Sequence, residues 1–348
     1  MFSDVQANEL LLGLVERYSP STQERPAVEF LTAQMTALGF RARIDGAGNA
    51  VGELGNGAQT IVLLGHIDTV PGEIPVRREG TRLHGRGAVD AKGPLAAFVA
   101  AAARVGEQPG KRIVVVGAVE EETATSRGAR FLLDRIGPDA VIIGEPSGWN
   151  AVTMGYKGRL LVDYTLSQPV GHTAGPESSA GERAVAFWQR VVAHAAQLNA
   201  GKPKMFYQLR PSLRRINTHS DGFAETVEMQ IGFRLPPQLD VDALQDALSN
   251  WRGRAQVAFR GRETAFRGSR STPLARAFVR ALRQEGVKTK FKVKSGTSDM
   301  NIVGPAWGCP ILAYGPGDSS LDHTPQEWID LDEYQRAIRV LSRVLTQL

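Results

Sequence analysis

The sequence of 348 residues predicts an α/β fold interrupted by a smaller α+β domain. Three observations lead there. Short apolar runs, "TIVLLGH", "KRIVVVGAV" and "DAVIIGEPS", alternate with helix-like segments, the arrangement of buried strands in a largely parallel sheet. Near Gly158 the texture changes to strands such as "RLLVDYTLSQ", which alternate apolar and polar as in a sheet with one wet face. From about Gly268 the first texture returns. Residues 159–268 therefore read as an insertion into a discontinuous domain of 1–158 and 269–348, and the chain length suits two domains.

The elements follow in order. Residues 5–18 and 25–38 carry the spacing of amphipathic helices, separated by Pro20, with Ser21, Thr22 and Glu24 offering capping chemistry. Residues 41–51 suggest a hairpin turning at "DGAGN". The strand 60–66 comes next, then an Ala-rich helix in "DAKGPLAAFVAAAARVGE" and the strand "KRIVVVGAV". "SRGARFLLDRIG" reads as a helix stopped by Gly137, before the strand "DAVIIGEPS". In the insertion, a helix over about 179–199, the strand "ETVEMQIGFRLP", the helix "DVDALQDALSNW" and the strand "AQVAFRG" suit a β-α-β-β-α-β order. A helix over 272–285, "GTSDMNIVG", the strand "CPILAYGPG" and a C-terminal helix complete the chain.

Composition narrows the function classes. Hydrophobic residues make up 42% and charged residues 22%, as in an ordinary globular protein. The lone cysteine, Cys309, has no partner for an internal disulfide, which suits a reducing cytoplasm. The N-terminus lacks the basic start and apolar core of a signal peptide, and no apolar run is long enough to span a bilayer. The net charge of +5 is scattered, without the clustered basic and aromatic residues of a nucleic-acid surface. Residues 159–268 hold 14 Lys and Arg against 10 Asp and Glu, so the insertion carries most of the excess and suits an acidic partner.

The strands of the first domain end in chemistry. The first delivers His66 and Asp68, the second Glu120, Glu121 and Glu122, and the third Glu145; Asp90 precedes the Ala-rich helix and His323 follows the last strand. In an open parallel sheet ligands gather at the carboxyl ends of the strands. Carboxylates crowded there repel one another unless a cation holds them, and two histidines with several carboxylates suit zinc or a similar metal. A phosphate-binding glycine loop is absent after the first strand, which argues against a nucleotide enzyme.

The motifs "GHIDTVP", "GRGAVDAKG", "VEEET", "GEPS", "GHTAGP", "SGTSDMNIVG" and "GPGDSSLDHTPQEWI" run in order across nearly the whole chain. They resemble the co-catalytic dizinc aminoacylases and deacylases, which include acetylornithine deacetylase, succinyl-diaminopimelate desuccinylase and glutamate carboxypeptidase. The resemblance implies a dizinc-exopeptidase-like catalytic domain with an inserted lid that also makes a homodimer. It implies that His66, Asp90 and Glu145 hold one zinc and that Asp90 bridges to a second, held also by Glu122 and His323. Cobalt is a possible substitute. Asp68 would orient His66 from its far nitrogen, and Glu121 would be the general base acting on a water whose pKa the zincs lower. One register alternative stays open, with Glu120 as base and Glu121 as ligand. His172 would stabilise the oxyanion, often across the dimer. Asn217, Arg234, Gly296, Thr297, Ser298 and Gly315 would bind substrate, Arg234 through a carboxylate. The peptide bond from Asp90 to Ala91 would be cis.

"GAVEEE", "MGYKGRL" and "SGTSDMNIVG", with the compact length, resemble the branch that releases lysine or ornithine from a small acidic amino-group carrier protein. The basic insertion suits such a partner. The alternative is a deacetylase of free N-acetylornithine, N-acetyl-lysine or another N-acyl amino acid.

Overall fold

The computed structural model describes residues 2–348, which form two compact units. One runs to Gly155 and resumes at Arg267–Val293 and Ser298–Leu348; the other comprises Tyr156–Phe266 and Lys294–Thr297. No helix among the described residues is long and apolar enough to cross a membrane.

The first unit opens with helices α1 (Asp4–Val15) and α2 (Arg25–Ala37), then strands β1 (Arg41–Ile44), β2 (Ala50–Leu54), β3 (Gln59–His66), β4 (Arg77–Glu79) and β5 (Arg82–His84). Helix α3 (Lys92–Val105), β6 (Lys111–Ala118), α4 (Arg127–Leu132), β7 (Ala140–Gly144) and β8 (Ala151–Tyr156) follow. The second unit contains β9 (Gly158–Pro169), α5 (Ala180–Asn199), β10 (Arg210–Ser220), β11 (Ala224–Leu235), α6 (Val241–Trp251) and β12 (Gln256–Glu263). After β13 (Phe266–Arg267) come α7 (Pro273–Gln284), β14 (Lys290–Lys294), α8 (Met300–Trp307), β15 (Ile311–Ala313), β16 (Trp328–Asp330) and α9 (Leu331–Gln347).

The main sheet runs β1-β2-β6-β3-β7-β15-β8-β13, with β14 also paired to β8. Strands β6, β3, β7 and β15 are mutually parallel, whereas β1, β2 and β8 are antiparallel additions at the flanks. Burial on both faces explains the near-continuous apolar runs. Ile61 and Leu63 of β3 join the core beneath α3, and Val62 and Leu64 on the other face are equally buried. The alanines of α3 let it lie against β3, β6 and β7 while α1 and α9 cover its outer side, so it is buried nearly all round.

Two local expectations fail. The Ser21/Thr22 cap does not form: α2 starts from Glu24 without a side-chain cap, because Thr22 sits at φ 76° and Ser21 turns its hydroxyl to Asp68. Gly137 does not stop a long helix either. Helix α4 ends at Leu132, where Arg135 turns its own N–H to the Leu132 carbonyl and covers the Phe131 carbonyl with its guanidinium.

The second unit is an antiparallel sheet, β10-β11-β9-β12, with α5 and α6 packed on one face. Ser179 and Glu182 cap α5 reciprocally, as their spacing allows. Strand β10 escaped the sequence reading because it lies at the sheet edge with almost every residue exposed, leaving no apolar alternation to detect.

Candidate metal centre

Register builds the site. In the parallel sheet His66 lies beside Ala118 and Gly65 beside Gly144. The chain leaving β6 therefore presents Glu120–Glu122, and that leaving β7 presents Glu145, at the edge where β3 delivers His66. The Asp90 and His323 loops close over this edge. His66 Nε2 is 3.1 Å from Asp90 Oδ1, and His323 Nε2 is 3.0 Å from Asp90 Oδ2 and 2.9 Å from Glu122 Oε1. His66, Asp90 and Glu122 each offer a donor atom within 4.8 Å of the others. The Asp90–Ala91 peptide bond is cis.

Asp68, fully buried, is the hub beneath the cluster. Its carboxylate accepts the backbone N–H groups of Glu121 (3.1 Å) and Glu122 (3.0 Å) and the Ser21 hydroxyl (2.7 Å). His66 Nδ1 lies 3.0 Å from the Asp68 carbonyl and 3.4 Å from its carboxylate, so the backbone is its nearer acceptor. A proton on Nδ1 leaves Nε2 as the nitrogen that faces Asp90. The triple glutamate divides its labour. Glu120, at φ 60°, sends its carboxylate to Thr125 and Arg127, away from the cluster, whereas Glu122 meets His323.

The electrostatics show how crowded the charges are. Burial raises the Glu121 carboxyl well above its ordinary value; His66 opposes this, and the charges of Asp299, Glu145 and Glu122 add to it. Burial and the Asp90 charge likewise raise Glu122. Burial would raise Asp90 too, but hydrogen bonds from His323 and His66 hold it below the usual carboxylate range. Those same bonds, to Asp90 and Glu122, push His323 up to about 10. Asp68 is lowered despite its burial, chiefly by His66.

Three positioning residues, Glu327, Arg86 and Lys92, stand inside quoted motifs but were not singled out from sequence. Glu327, buried, accepts the backbone N–H groups of Val89 (2.9 Å) and Asp90 (3.0 Å) and pairs with Arg86 at 2.9 Å. Arg86 also donates to the carbonyls of Gly72 and Thr324, tying the His323 loop to the Asp90 loop. Lys92, also buried, donates to the Arg17 carbonyl, and burial lowers its ammonium to about 7. "GRGAVDAKG" and "HTPQEWI" lie over 200 residues apart, so only the fold joins Arg86 to Glu327.

The remaining candidates fall in both units. Ser298 and Gly315 belong to the first. A Cβ at Gly315 would come within 2.8 Å of the Glu145 carbonyl and 2.6 Å of Pro94, so glycine there lets the last strand's exit pass against the Glu145 turn. Gly296 and Thr297 belong to the second unit, where Thr297 accepts a 3.2 Å hydrogen bond from Arg234. Asn217 is exposed on β10 opposite Glu228, and His172 sits in an exposed loop, its Nδ1 accepting the Ala174 N–H.

Comparison with known proteins agrees with this architecture. The chain is 44% identical over 350 residues to a Deinococcus radiodurans protein named LysW-lysine hydrolase, covering 98% of this chain and 97% of the relative. It is 29% identical over 345 residues to a Saccharolobus islandicus protein named LysW-lysine/LysW-ornithine hydrolase, covering 99% and 96%. Its fold matches the crystal structure of an M20 family metallo-carboxypeptidase from Sulfolobus solfataricus with a TM-score of 0.80 at 17% identity, over 98% of both chains. Residues 62–347 match the model of peptidase family M20/M25/M40, and the chain belongs to that family.

Proposed function

We propose that this chain is a metal-dependent amide hydrolase that releases lysine, ornithine or both from a small acidic amino-group carrier protein, in lysine and arginine biosynthesis. The full-length similarity to the relatives named LysW-lysine and LysW-ornithine hydrolases carries the substrate assignment. The cluster of His66, Asp90, Glu122 and His323 supports the chemistry.

The residues fit a divalent pair. The donors are imidazole nitrogens and carboxylate oxygens, which suit zinc, with cobalt as a substitute. Two carboxylates, Asp90 and Glu122, converge on the one imidazole of His323 at 3.0 and 2.9 Å, which supports a cation at this point. Asp90, the one carboxylate facing both histidines, would bridge; His66 and Glu145 would complete one site, and Glu122 and His323 the other. When bound, such ions polarise an amide carbonyl and acidify a water. Glu121 takes the proton of the attacking water and returns it to the leaving nitrogen. Glu122 as ligand and Glu121 as base is the register supported by the outward course of Glu120. Asp68 holds the His66 tautomer and, through two backbone N–H groups, the placement of that base.

His172 stabilises the oxyanion in this reading. Arg234 binds a substrate carboxylate, with Asn217 and the segments at Gly296, Thr297, Ser298 and Gly315 lining the substrate. The inserted unit, 159–268, serves as lid and homodimer contact, and the enzyme works in the cytoplasm.

The test is hydrolysis by the zinc-loaded protein of lysine-charged carrier, beside free N-acetylornithine and N-acetyl-lysine, with Glu121→Ala as control. Release of lysine from the carrier alone is the expected result. Preference for the free acetyl compounds would make the chain a general deacetylase.

A further inference from the structure

The loop that carries Glu121 and Glu122 is held from outside itself. Past the end of β6, four successive backbone N–H groups are each accepted by the oxygen of a buried side chain. Val119 donates to Asn49 Oδ1 at 3.0 Å and Glu120 to Glu24 Oε1 at 3.2 Å; Glu121 and Glu122 donate to the two oxygens of Asp68 at 3.1 and 3.0 Å. The acceptors come from three places in the chain. Asn49 precedes β2, Glu24 stands at the start of α2, and Asp68 follows β3. Asn49 also donates to the Gly128 carbonyl at 3.1 Å, and a Cβ on Gly128 would lie 2.4 Å from Asn49 Oδ1, so one amide ties both ends of the loop 119–128.

Glu24 sits at the N-cap position of α2, yet its side chain makes no cap for that helix. Instead Oε1 accepts two N–H groups, of Thr22 at 2.8 Å and of Glu120 at 3.2 Å. Those two residues share a conformation. Thr22 has φ 76° and Glu120 φ 60°, in the left-handed region that residues with a Cβ disfavour. Such conformations persist where the surroundings over-determine them, and they gather at functional sites. The turn at Thr22 brings the hydroxyl of the preceding Ser21 to Asp68. The turn at Glu120 sends its own carboxylate out to Thr125 and Arg127, while Glu121 and Glu122 continue to Asp68 and the cluster. The Glu120 carbonyl is held as well, by the Thr123 hydroxyl at 3.0 Å. With the N–H on Glu24 and the carbonyl on Thr123, Glu120 cannot rotate about its N–Cα bond and swing Glu121 away.

We propose that Glu24 is a positioning residue for the hydrolytic base: one of its carboxylate oxygens locks both left-handed turns and so fixes Glu121 at the cluster, acting through the backbone. The proposal rests on the assignment of Glu121 as base. What matters in Glu24 is the reach of an acceptor and not its charge, since both donors are neutral backbone groups. An amide oxygen at the same distance from the chain serves as well, whereas a carboxylate one methylene shorter does not span both turns.

The test compares Glu24→Gln, which keeps the reach, with Glu24→Asp, which keeps the charge. The readouts are kcat and KM on lysine-charged carrier, zinc content by elemental analysis, and hydrogen exchange of the segment 119–123. Glu24→Asp should lower kcat about tenfold or more with KM within about twofold, because a misplaced base loses rate and not binding. Its 119–123 amides should exchange faster while β3 and β6 keep their protection and the zinc content stays at the wild-type level. Glu24→Gln should keep kcat within about threefold of wild type. Wild-type kcat in the Asp variant would overturn the proposal, as would a Gln variant as slow as the Asp one, since charge would then be the function. Loss of zinc or of cooperative melting in step with activity would also overturn it, by making Glu24 a support of the fold at large. A Glu121→Ala protein as fast as wild type would instead remove the base assignment, whatever the Glu24 variants did.

Discussion

The strand ends of the first unit and the sheet of the second, where Arg159, Arg234 and Arg210 stand abreast on β9, β11 and β10, both concentrate like charges, yet they treat them oppositely. At the strand ends His66, Asp68 and Glu145 are buried, and the groups beneath the cluster are held by several partners. Asp68 accepts three hydrogen bonds besides facing His66, and Glu327 accepts two backbone N–H groups and an arginine. On the sheet of the second unit Arg210 and Arg214 stand in solvent, where water and salt dissipate the repulsion. Buried like charges must be compensated within the protein or by a bound ion, so they define a rigid site for small, highly charged species. Exposed like charges remain available and act on large partners through encounter.

Four substitutions test this contrast, from the largest effect to the smallest. Glu121→Ala should lower kcat by about 10²–10⁴-fold, because it removes the group assigned to proton transfer. Zinc content, read by elemental analysis, should stay near wild type; loss of metal would instead make Glu121 a ligand and reopen the register. Glu327→Ala should destabilise the protein by about 3–5 kcal/mol in denaturant titration, since it strands the buried charge of Arg86. It should also weaken metal binding, because the Asp90 backbone loses its anchor. Unchanged metal affinity would reduce Glu327 to a purely structural role.

Glu53→Gln probes a charge that the fold compensates away from the site. Burial would raise its carboxyl, but hydrogen bonds from Arg112 and Arg43 outweigh this and lower it. A depressed folded value means stability that is fully present above the unfolded pKa, near 4.5, and is lost as pH falls through the folded value. The variant should therefore be less stable than wild type by about 1.5–3 kcal/mol at neutral pH. The gap should close in acid, and a gap independent of pH would mean that the loss is packing and not charge. Arg260→Ala removes an exposed pair with Asp163 and should cost less than about 1 kcal/mol. A larger loss would show that this face of the second unit is not the solvent-screened surface described above.

Much of the molecule was legible in the residues. Apolar runs and alanine-rich helices disclosed the α/β core because burial on both faces leaves a continuous apolar signature. The polar residues that end those runs disclosed the candidate site, since parallel strands of one sheet finish at one edge. What stayed hidden had no local signature. Strand β10 is exposed along nearly its whole length, and Ser21 looked like a helix cap until a tertiary partner, Asp68, claimed its hydroxyl.

By itself, then, the sequence determined the buried strands and most of the helices, and which acids and imidazoles would stand at strand ends, because these follow from short-range periodicity and chain direction. Only the tertiary structure decided which partners those side chains would meet: Glu122 with His323 while Glu120 turns away, Arg86 with Glu327 across the chain, and three arginines abreast on the sheet of the second unit. Pairings of that kind depend on sheet register and loop closure, which bring together residues whose separation along the chain carries no information about their distance in space.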